Sequence, residues 1–224
     1  MNKIKVWFKN YLAGIYGVAR FKRLFFAGAI FMINYGAVMA VISMVKLSFY
    51  IGITASYSLI LGVCKYFALR RLRYMQMQTD ADKIARAEYG GARTIAICTT
   101  VMTFLFFAFT VVSMFFYDES TTVYGMWLII FIAAAAFIKI ILTAIESIRT
   151  RKNHNIVLFH VKLADVANAF IALALLQRAI LYHVGEPHAK WASAIGGVFF
   201  SLCAALICLF MYFRLKNYFT RILR

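Results

Sequence analysis

The chain of 224 residues is 64% apolar, only 15% charged, and contains a single proline. Soluble domains are roughly 45–50% apolar, so this chain lacks the polar residues that a water-facing surface needs, and a soluble globular domain is excluded. The net charge of +17 is attributed to lysines and arginines facing anionic lipid, and nucleic acid is not expected as a partner.

Six apolar segments follow a basic, aromatic-rich start. Residues 1–23 are predicted to form a basic amphipathic segment in the membrane interface. Each later segment can cross roughly 30 Å of hydrocarbon as a helix of about 20 residues. The spans cover about 24–45, 49–69, 94–116, 123–145, 161–182 and 191–213. The sequence therefore predicts an all-α integral membrane protein, with a six-helix bundle over 24–214 and a basic tail at 215–224.

Positive charge alternates between the loops. Basic residues concentrate before span one, between spans two and three, between spans four and five, and after span six, whereas the intervening loops hold few. Lysine and arginine collect in cytoplasmic loops. Both termini are therefore predicted to be cytoplasmic, in a multi-pass protein of the cell membrane whose first partner is the lipid bilayer.

Two charged residues stand out within the spans, Lys139 in span four and Asp165 in span five. A charge at mid-bilayer costs at least about 2.5–3.5 kcal/mol, so such residues are candidates for a functional site. Asn168 shares the helix face of Asp165. Because spans four and five are antiparallel neighbours, we hypothesise that Lys139 pairs with Asp165. The alternative is that Lys139 snorkels to the inner interface and Asp165 reaches water.

Other polar or small residues suggest contacts between helices. Asn34 in span one and Tyr57 in span two are expected to join the same interior network, and bridging between helices is favoured over substrate binding for the asparagine. Small residues recur at steps of four in span six and permit close helix approach within the bundle or across a dimer, the first being favoured. They are Ser193, Gly197, Ser201 and Ala205.

The sequence carries no enzyme signature. It contains no GxSxG, no HExxH, no glycine-rich phosphate loop and no carboxylate pair within one span. The outer loop containing His183 and His188 is too short a pattern for a metal site, and the four cysteines form no CxxC pair. We therefore expect no catalysis, no cofactor and no metal site.

A short motif precedes span three. It reads Tyr89-Gly90-Gly91-Ala92-Arg93, an aromatic-Gly-x-x-basic pattern in a predicted cytoplasmic turn. With six spans and both termini inside, this layout resembles the transmembrane half of the cation diffusion facilitators, the zinc and manganese efflux family. The resemblance covers about residues 24–214. It implies a transport function and, because the family is commonly dimeric, a homodimer.

The resemblance also implies a set of metal-ligand positions. In the family, spans two and five each supply two ligands. Here Asp165 matches the second position in span five, whereas Val161, Tyr57 and Leu61 would occupy the other three. A tetrahedral zinc site needs about three or four donors, so ordinary zinc exchange is expected to be lost.

Two functions follow as expectations. The first is a small transporter or channel-like protein with a polar interior path, which requires a cavity reaching Asp165. The second is a non-transporting scaffold, accessory subunit or sensor that binds a cytoplasmic or membrane protein through its basic inner face. The second predicts a dry and tightly packed bundle.

Overall fold

The computed structural model describes residues 25–75, 81–116, 124–149, 155–185 and 188–222, and the regular structure within these ranges is helical. The predicted interfacial segment 1–23 lies outside the described residues. The helices, in chain order, are α1 (Phe25–Lys46), α2 (Phe49–Met75), α3 (Ala81–Phe116), α4 (Met126–Arg149), α5 (Ile156–Val184) and α6 (Ala189–Ile222).

All six helices are long and apolar enough to cross a membrane, which confirms the predicted multi-pass helical architecture. The mean hydropathy of their spanning segments lies between 1.4 and 2.7. Helices suit this environment because their backbone hydrogen bonds are made within the segment, where hydrocarbon offers no partner.

Helices extend through segments that were predicted to be a loop and a tail. α2 continues to Met75 and α3 begins at Ala81, so most of the predicted cytoplasmic loop at 70–93 is helical. α6 likewise continues to Ile222. These extensions are charged, but they also carry buried apolar residues, including Ile84 and Leu215. Their charge therefore marks where the chain leaves the hydrocarbon, and the helices do not end there.

One end of the bundle carries exposed cations and is called here the basic end. It is the end at which α2, α4 and α6 terminate and at which α3 and α5 begin. The exposed basic side chains described there are Arg70, Arg71, Arg86, Arg93, Arg214 and Lys216.

The central helix is α5. It contacts α2, α3, α4 and α6, and 67% of its spanning segment is buried, compared with 22% for α4. Small buried side chains such as Ala164, Ala167 and Ala172 allow neighbouring helices to approach closely. A polar side chain on α5 is therefore surrounded mainly by protein. Most residues of the α4 spanning segment, in contrast, lie on the outer surface of the bundle.

Caps fix both ends of α5. At its start, Asn155 Oδ1 accepts hydrogen bonds from the backbone N–H groups of Val157 at 3.0 Å and Leu158 at 3.2 Å, as an N-cap residue does. At its end, Gly185 adopts a left-handed φ of 71°, which glycine tolerates without steric cost. The helix begins five residues before its predicted start, so Asp165 lies deeper in it than expected.

A tight turn joins α1 to α2. Leu47 between them has a φ of 51°, and the Ser48 N–H donates to the Ser43 carbonyl at 3.1 Å, the longer hydrogen bond of a Schellman motif. The two helices then pack closely, because a Cβ added at Gly36 would lie 2.7 Å from the Leu59 side chain. α1 and α2 consequently form an antiparallel helical hairpin.

Single-cysteine labelling tests the predicted orientation. In a chain whose four native cysteines are replaced by alanine, we expect Lys216→Cys and Arg71→Cys to be protected from a membrane-impermeant maleimide outside intact cells, because basic ends face the cytoplasm. Leu47→Cys, which is exposed at the opposite end, should be labelled. Labelling of the Lys216 and Arg71 variants from opposite sides would contradict the six-span topology.

Candidate functional site

A buried ion pair joins α2 to α5. The Lys65 Nζ lies 2.6 Å from Asp165 Oδ2, and the two side chains are only 5% and 8% exposed. Asp165 is nine residues inside α5 and Lys65 is ten residues from the end of α2, about 14 Å along each axis from the basic end. At this depth each charge offsets part of the desolvation cost of the other.

A second lysine lies beside this pair. Lys139 on α4 is 4% exposed, and its Nζ donates hydrogen bonds to Ser58 Oγ at 3.0 Å and to Asn168 Oδ1 at 3.5 Å. The ammonium also lies 4.1 Å from the centre of the Tyr35 ring, within the range of a cation–π interaction. Its close contacts are therefore with neutral groups.

The predicted partner of Asp165 is thus corrected. Asp165 pairs with Lys65 on α2, and Lys139 is bonded to Ser58 and Asn168 instead. The snorkelling alternative does not describe Lys139 either, because its side chain is buried. Both α2 and α4 pack on α5, but the ammonium of Lys65 points at the Asp165 carboxylate, whereas that of Lys139 points at Ser58 and Asn168.

Asn168 connects the two halves of the site. Its Oδ1 accepts hydrogen bonds from Lys139 and from Ser58 Oγ, the latter at 3.3 Å. Its Nδ2 is buried and has no hydrogen-bond partner among the described residues. A buried amide N–H without an acceptor costs free energy, so this group is available to a water molecule or ligand.

A small cavity adjoins this unbonded amide. It is lined by Lys65, Lys139, Asp165 and Asn168 together with Thr143, and α1 contributes apolar residues to its wall. The free space for a water-sized molecule is about 20 Å³, enough for one water. The four charged and amide side chains, called here the charged cluster, contain two ammonium groups and one carboxylate. In their ordinary ionisation states they carry one excess positive charge.

Two residues predicted to join this network lie elsewhere. Asn34 is exposed on the outer surface of α1. Tyr57 is fully buried on α2, but its hydroxyl lies 3.0 Å from Thr103 Oγ1 on α3. Cys208 of α6 donates to the same threonine oxygen at 3.7 Å. Tyr57 therefore belongs to a contact between α2, α3 and α6.

Another buried cation lies toward the opposite end of α5. Arg178 is 2% exposed, and its guanidinium carbon lies 4.4 Å from the ring centre of Tyr50 and 5.0 Å from that of Tyr182. Its Nη1 donates to Ser193 Oγ on α6 at 3.3 Å. Because aromatic faces stabilise a desolvated guanidinium, Arg178 links α2, α5 and α6 structurally.

The motif predicted to form a turn before span three lies within α3. A Cβ added at Gly90 would lie 3.5 Å from the Arg71 guanidinium, and one added at Gly91 would lie 3.5 Å from Val157. The two glycines therefore face α2 and α5. Tyr89 is half-buried and Arg93 is exposed.

The residue before this motif ties three helices together at the basic end. Glu88 on α3 is 3% exposed. Its Oε1 accepts a hydrogen bond from Asn155 Nδ2 at 2.6 Å, and its Oε2 accepts one from the Tyr218 hydroxyl at 2.9 Å. Hydrogen bonds to a charged group contribute more than neutral ones. Glu88 thus joins α3 to the start of α5 and to the end of α6.

The small residues of span six divide between two faces. Ser193, Gly197 and Ser201 are buried, and a Cβ added at Gly197 would lie 2.6 Å from Thr110 of α3. Ala205 is exposed. Because an α-helix has 3.6 residues per turn, each step of four rotates the face by about 40°. The fourth member of the series therefore leaves the packed face.

Sequence reasoning overlooked two of these buried cations. Lys65 and Arg178 lie inside the predicted second and fifth spans. The argument that selected Lys139 applies to them equally, because a charged side chain within a span is a candidate in its own right. Applying it to every cation in the spans would have found both.

No protein-family model, curated protein or solved structure matches this chain. The likeness to cation diffusion facilitators therefore stays a prediction. Among the described residues, no group of three or more His, Cys, Asp and Glu side chains is placed to hold a metal ion. His183, predicted to lie in the outer loop, is in the last turn of α5, where its Nδ1 lies 2.9 Å from the Tyr124 carbonyl.

Double-mutant cycles test the pairing in the charged cluster. We expect Lys65→Met or Asp165→Leu alone to lower the free energy of unfolding by about 3 kcal/mol, because each leaves a buried charge unpaired. The double variant should cost much less than the sum of the two. The measurement is unfolding of the purified protein in mixed micelles with increasing SDS.

The control is the cycle formed by Lys139→Met and Asp165→Leu. We expect its coupling energy to be smaller than that of the Lys65 cycle, because Lys139 and Asp165 line the same cavity but do not share an ion pair. A larger coupling in this cycle than in the Lys65 cycle would restore the pairing predicted from the sequence.

Proposed function

We propose that this chain is a small multi-pass transporter or channel-like protein of the cell membrane, with its termini in the cytoplasm and the charged cluster on the path of its solute. The observation that carries the proposal is the cavity that reaches Lys65, Lys139, Asp165 and Asn168. Burying a charge is costly, so a charged residue inside a membrane-spanning bundle is a candidate for a functional role.

The excess positive charge of the cluster supports a small inorganic anion, such as chloride, as the solute. Lys139 bonds to neutral oxygens, and the one carboxylate of the cluster is paired with Lys65. An anion in the cavity would supply the missing negative charge. The unbonded Nδ2 of Asn168 would add a hydrogen-bond donor.

A divalent cation, the solute of the resembled family, fits these residues poorly. Of the four ligand positions that the resemblance implies, only that of Asp165 holds a carboxylate, and Lys65 pairs with it. The two ammonium groups that line the cavity would repel a metal ion there. A tetrahedral site also needs about three or four donors. The proposal therefore keeps the transport function implied by the resemblance and reverses the charge of the solute.

The size of the cavity defines what transport requires. About 20 Å³ of free space admits one water-sized molecule, so passage of an anion requires the walls to separate. In the closed arrangement, Ser58 and Asn168 hold the ammonium of Lys139. An entering anion would replace these neutral oxygens as the partner of Lys139, because charge-assisted hydrogen bonds are stronger than neutral ones.

A flux assay tests this function. We expect proteoliposomes containing the purified chain to release chloride down its gradient once valinomycin and potassium dissipate the electrical potential, with an ion-selective electrode recording the rate. Lys139→Met should reduce the rate by at least about tenfold, because a hydrogen bond to a charged group contributes about 1.5–3 kcal/mol.

The matched control is Lys46→Met, which changes an exposed lysine at the far end of α1. It should leave the rate unchanged, and all three proteins should elute as single peaks in detergent. Chloride flux that Lys139→Met does not affect would remove the charged cluster from the path. Selective flux of cations would refute the anion as solute.

A second function is favoured by the tightness of the same cavity and by the exposed cations of the basic end. Space for one water is also what a closed, non-transporting bundle would contain. Exposed arginines on α2, α3 and α6 would then attract an acidic segment of another protein. In this alternative the chain is a scaffold, an accessory subunit or a sensor.

Neutralising the basic end tests the alternative. We expect the variant Arg70→Gln, Arg93→Gln, Arg214→Gln and Lys216→Gln to recover a co-purifying acidic protein at least about tenfold less well than the wild type, because complementary charge governs such association. Quantitative affinity purification from native membranes measures the ratio. Equal recovery from both proteins would contradict binding through the basic end.

A further inference from the structure

An asparagine lies on the outer surface of α1, within the membrane-spanning segment. Asn34 is nine residues from Phe25 and twelve from Lys46, the two ends of the described span. Its side chain is exposed and makes no hydrogen bond to the part of the chain that the structure describes. At this depth the surroundings of a single chain are hydrocarbon, where a carboxamide finds neither donor nor acceptor.

The exposed serine and threonine side chains in the described spans form hydrogen bonds within their own helices. The Ser56 hydroxyl donates to the Gly52 carbonyl at 2.9 Å, and the Thr100 hydroxyl donates to the Ala96 carbonyl at 2.8 Å. Serine and threonine can form such bonds within their own helix. A carboxamide has two N–H donors and an acceptor oxygen, and Asn34 uses none of them in this way.

The exposed surface around Asn34 has a regular repeat. Two series of exposed residues run along α1 at intervals of seven, as the core positions of a coiled coil do. The first is Ala27, Asn34 and Val41, and the second is Ile30, Ala37 and Met44. Alanines on both sides of Asn34 would let a second helix approach closely. A polar residue at one such position fixes the register of two helices.

We propose that α1 is the interface of a symmetric homodimer in which the Asn34 side chains of two copies hydrogen-bond to each other. Two copies inserted with the same orientation present parallel α1 helices. A two-fold axis along the membrane normal then places each residue beside its equivalent. A carboxamide is complementary to itself, since the N–H of one can donate to the oxygen of the other in both directions.

This arrangement identifies the occupant of the exposed surface as a second copy of the chain. When two copies associate, each Asn34 carboxamide loses its contact with lipid and gains the other as a hydrogen-bond partner. A partner helix of another sequence would need its own polar group at the same depth. Asn34 is neutral, so two copies meet there without repulsion between charges. The proposal does not depend on the transport function, because it concerns the face of α1 that is turned away from the charged cluster.

Disulfide cross-linking in native membranes tests the interface directly. The background is a chain whose four native cysteines are replaced by alanine. In it, we expect Ala37→Cys to form a covalent dimer on mild oxidation, because the proposed two-fold axis places residue 37 of one copy beside residue 37 of the other. The matched control is Ala205→Cys, an alanine exposed on α6, which should remain monomeric. Cross-linking of Ala205→Cys as readily as Ala37→Cys would overturn the proposal, and so would a product joined to a different protein.

Sedimentation equilibrium in detergent tests the role of Asn34 with the native cysteines in place. We expect Asn34→Leu to weaken dimerisation by about tenfold, a typical loss for one interhelical hydrogen bond. Thr100→Leu removes an exposed polar group from α3 and should not change the dimer constant. Three results would refute the pairing. The dimer constant could be unchanged in Asn34→Leu, or both variants could weaken dimerisation equally. The wild-type chain could also stay monomeric at every protein-to-detergent ratio.

Discussion

Hydrocarbon solvates neither charges nor hydrogen-bonding groups, and the ion pair between Lys65 and Asp165 is where this constraint acts most strongly on the fold. The pair fixes α2 against the central helix α5 at a separation of 2.6 Å between charged atoms. Removing either partner would leave an unpaired charge inside the bundle. The ion pair therefore constrains the relative rotation of α2 and α5.

Lys139 is a buried cation that does not form an ion pair with Asp165. Its charge is distributed over the Ser58 hydroxyl, the Asn168 oxygen and the face of Tyr35. Each contact supplies only part of the stabilisation that an ion pair would give. This difference separates the two lysines: Lys65 is held in an ion pair with Asp165, whereas Lys139 bonds to neutral oxygens.

The sequence alone predicts the number and approximate position of the spans, because hydropathy and helix periodicity are local properties. It also places Asp165 and Asn168 on one face of α5, where both border the cavity. It does not predict which way a span is turned. An apolar residue is tolerated both on the face of a helix that contacts lipid and on the face that packs in the bundle. The pattern of apolar residues in α1 and α2 therefore gives little information about which face of each helix points inward. This is why Lys65 was overlooked as the partner, and why Asn34 was expected inside the bundle.

The density of charged residues is also a poor guide to where the helices end. The segment 81–93 is rich in charged residues, which locate it outside the hydrocarbon, but several of its residues also favour helix. Glu88 is buried there by its bonds to Asn155 and Tyr218, which belong to α5 and α6. Those partners are distant in the sequence, so the contact could not be found from local patterns.

The walls of the cavity differ in how firmly they are held. α2 is bonded to α5 through Lys65 and Asp165, and α1 is held to α2 by the short turn at Leu47 and by the close approach at Gly36. α4 has the least buried spanning segment, at 22%. Under the proposed transport function, α4 is the wall with the most outward-facing surface, and Lys139 is carried on that wall. A movement of α4 that opened the cavity would therefore also move the ammonium of Lys139.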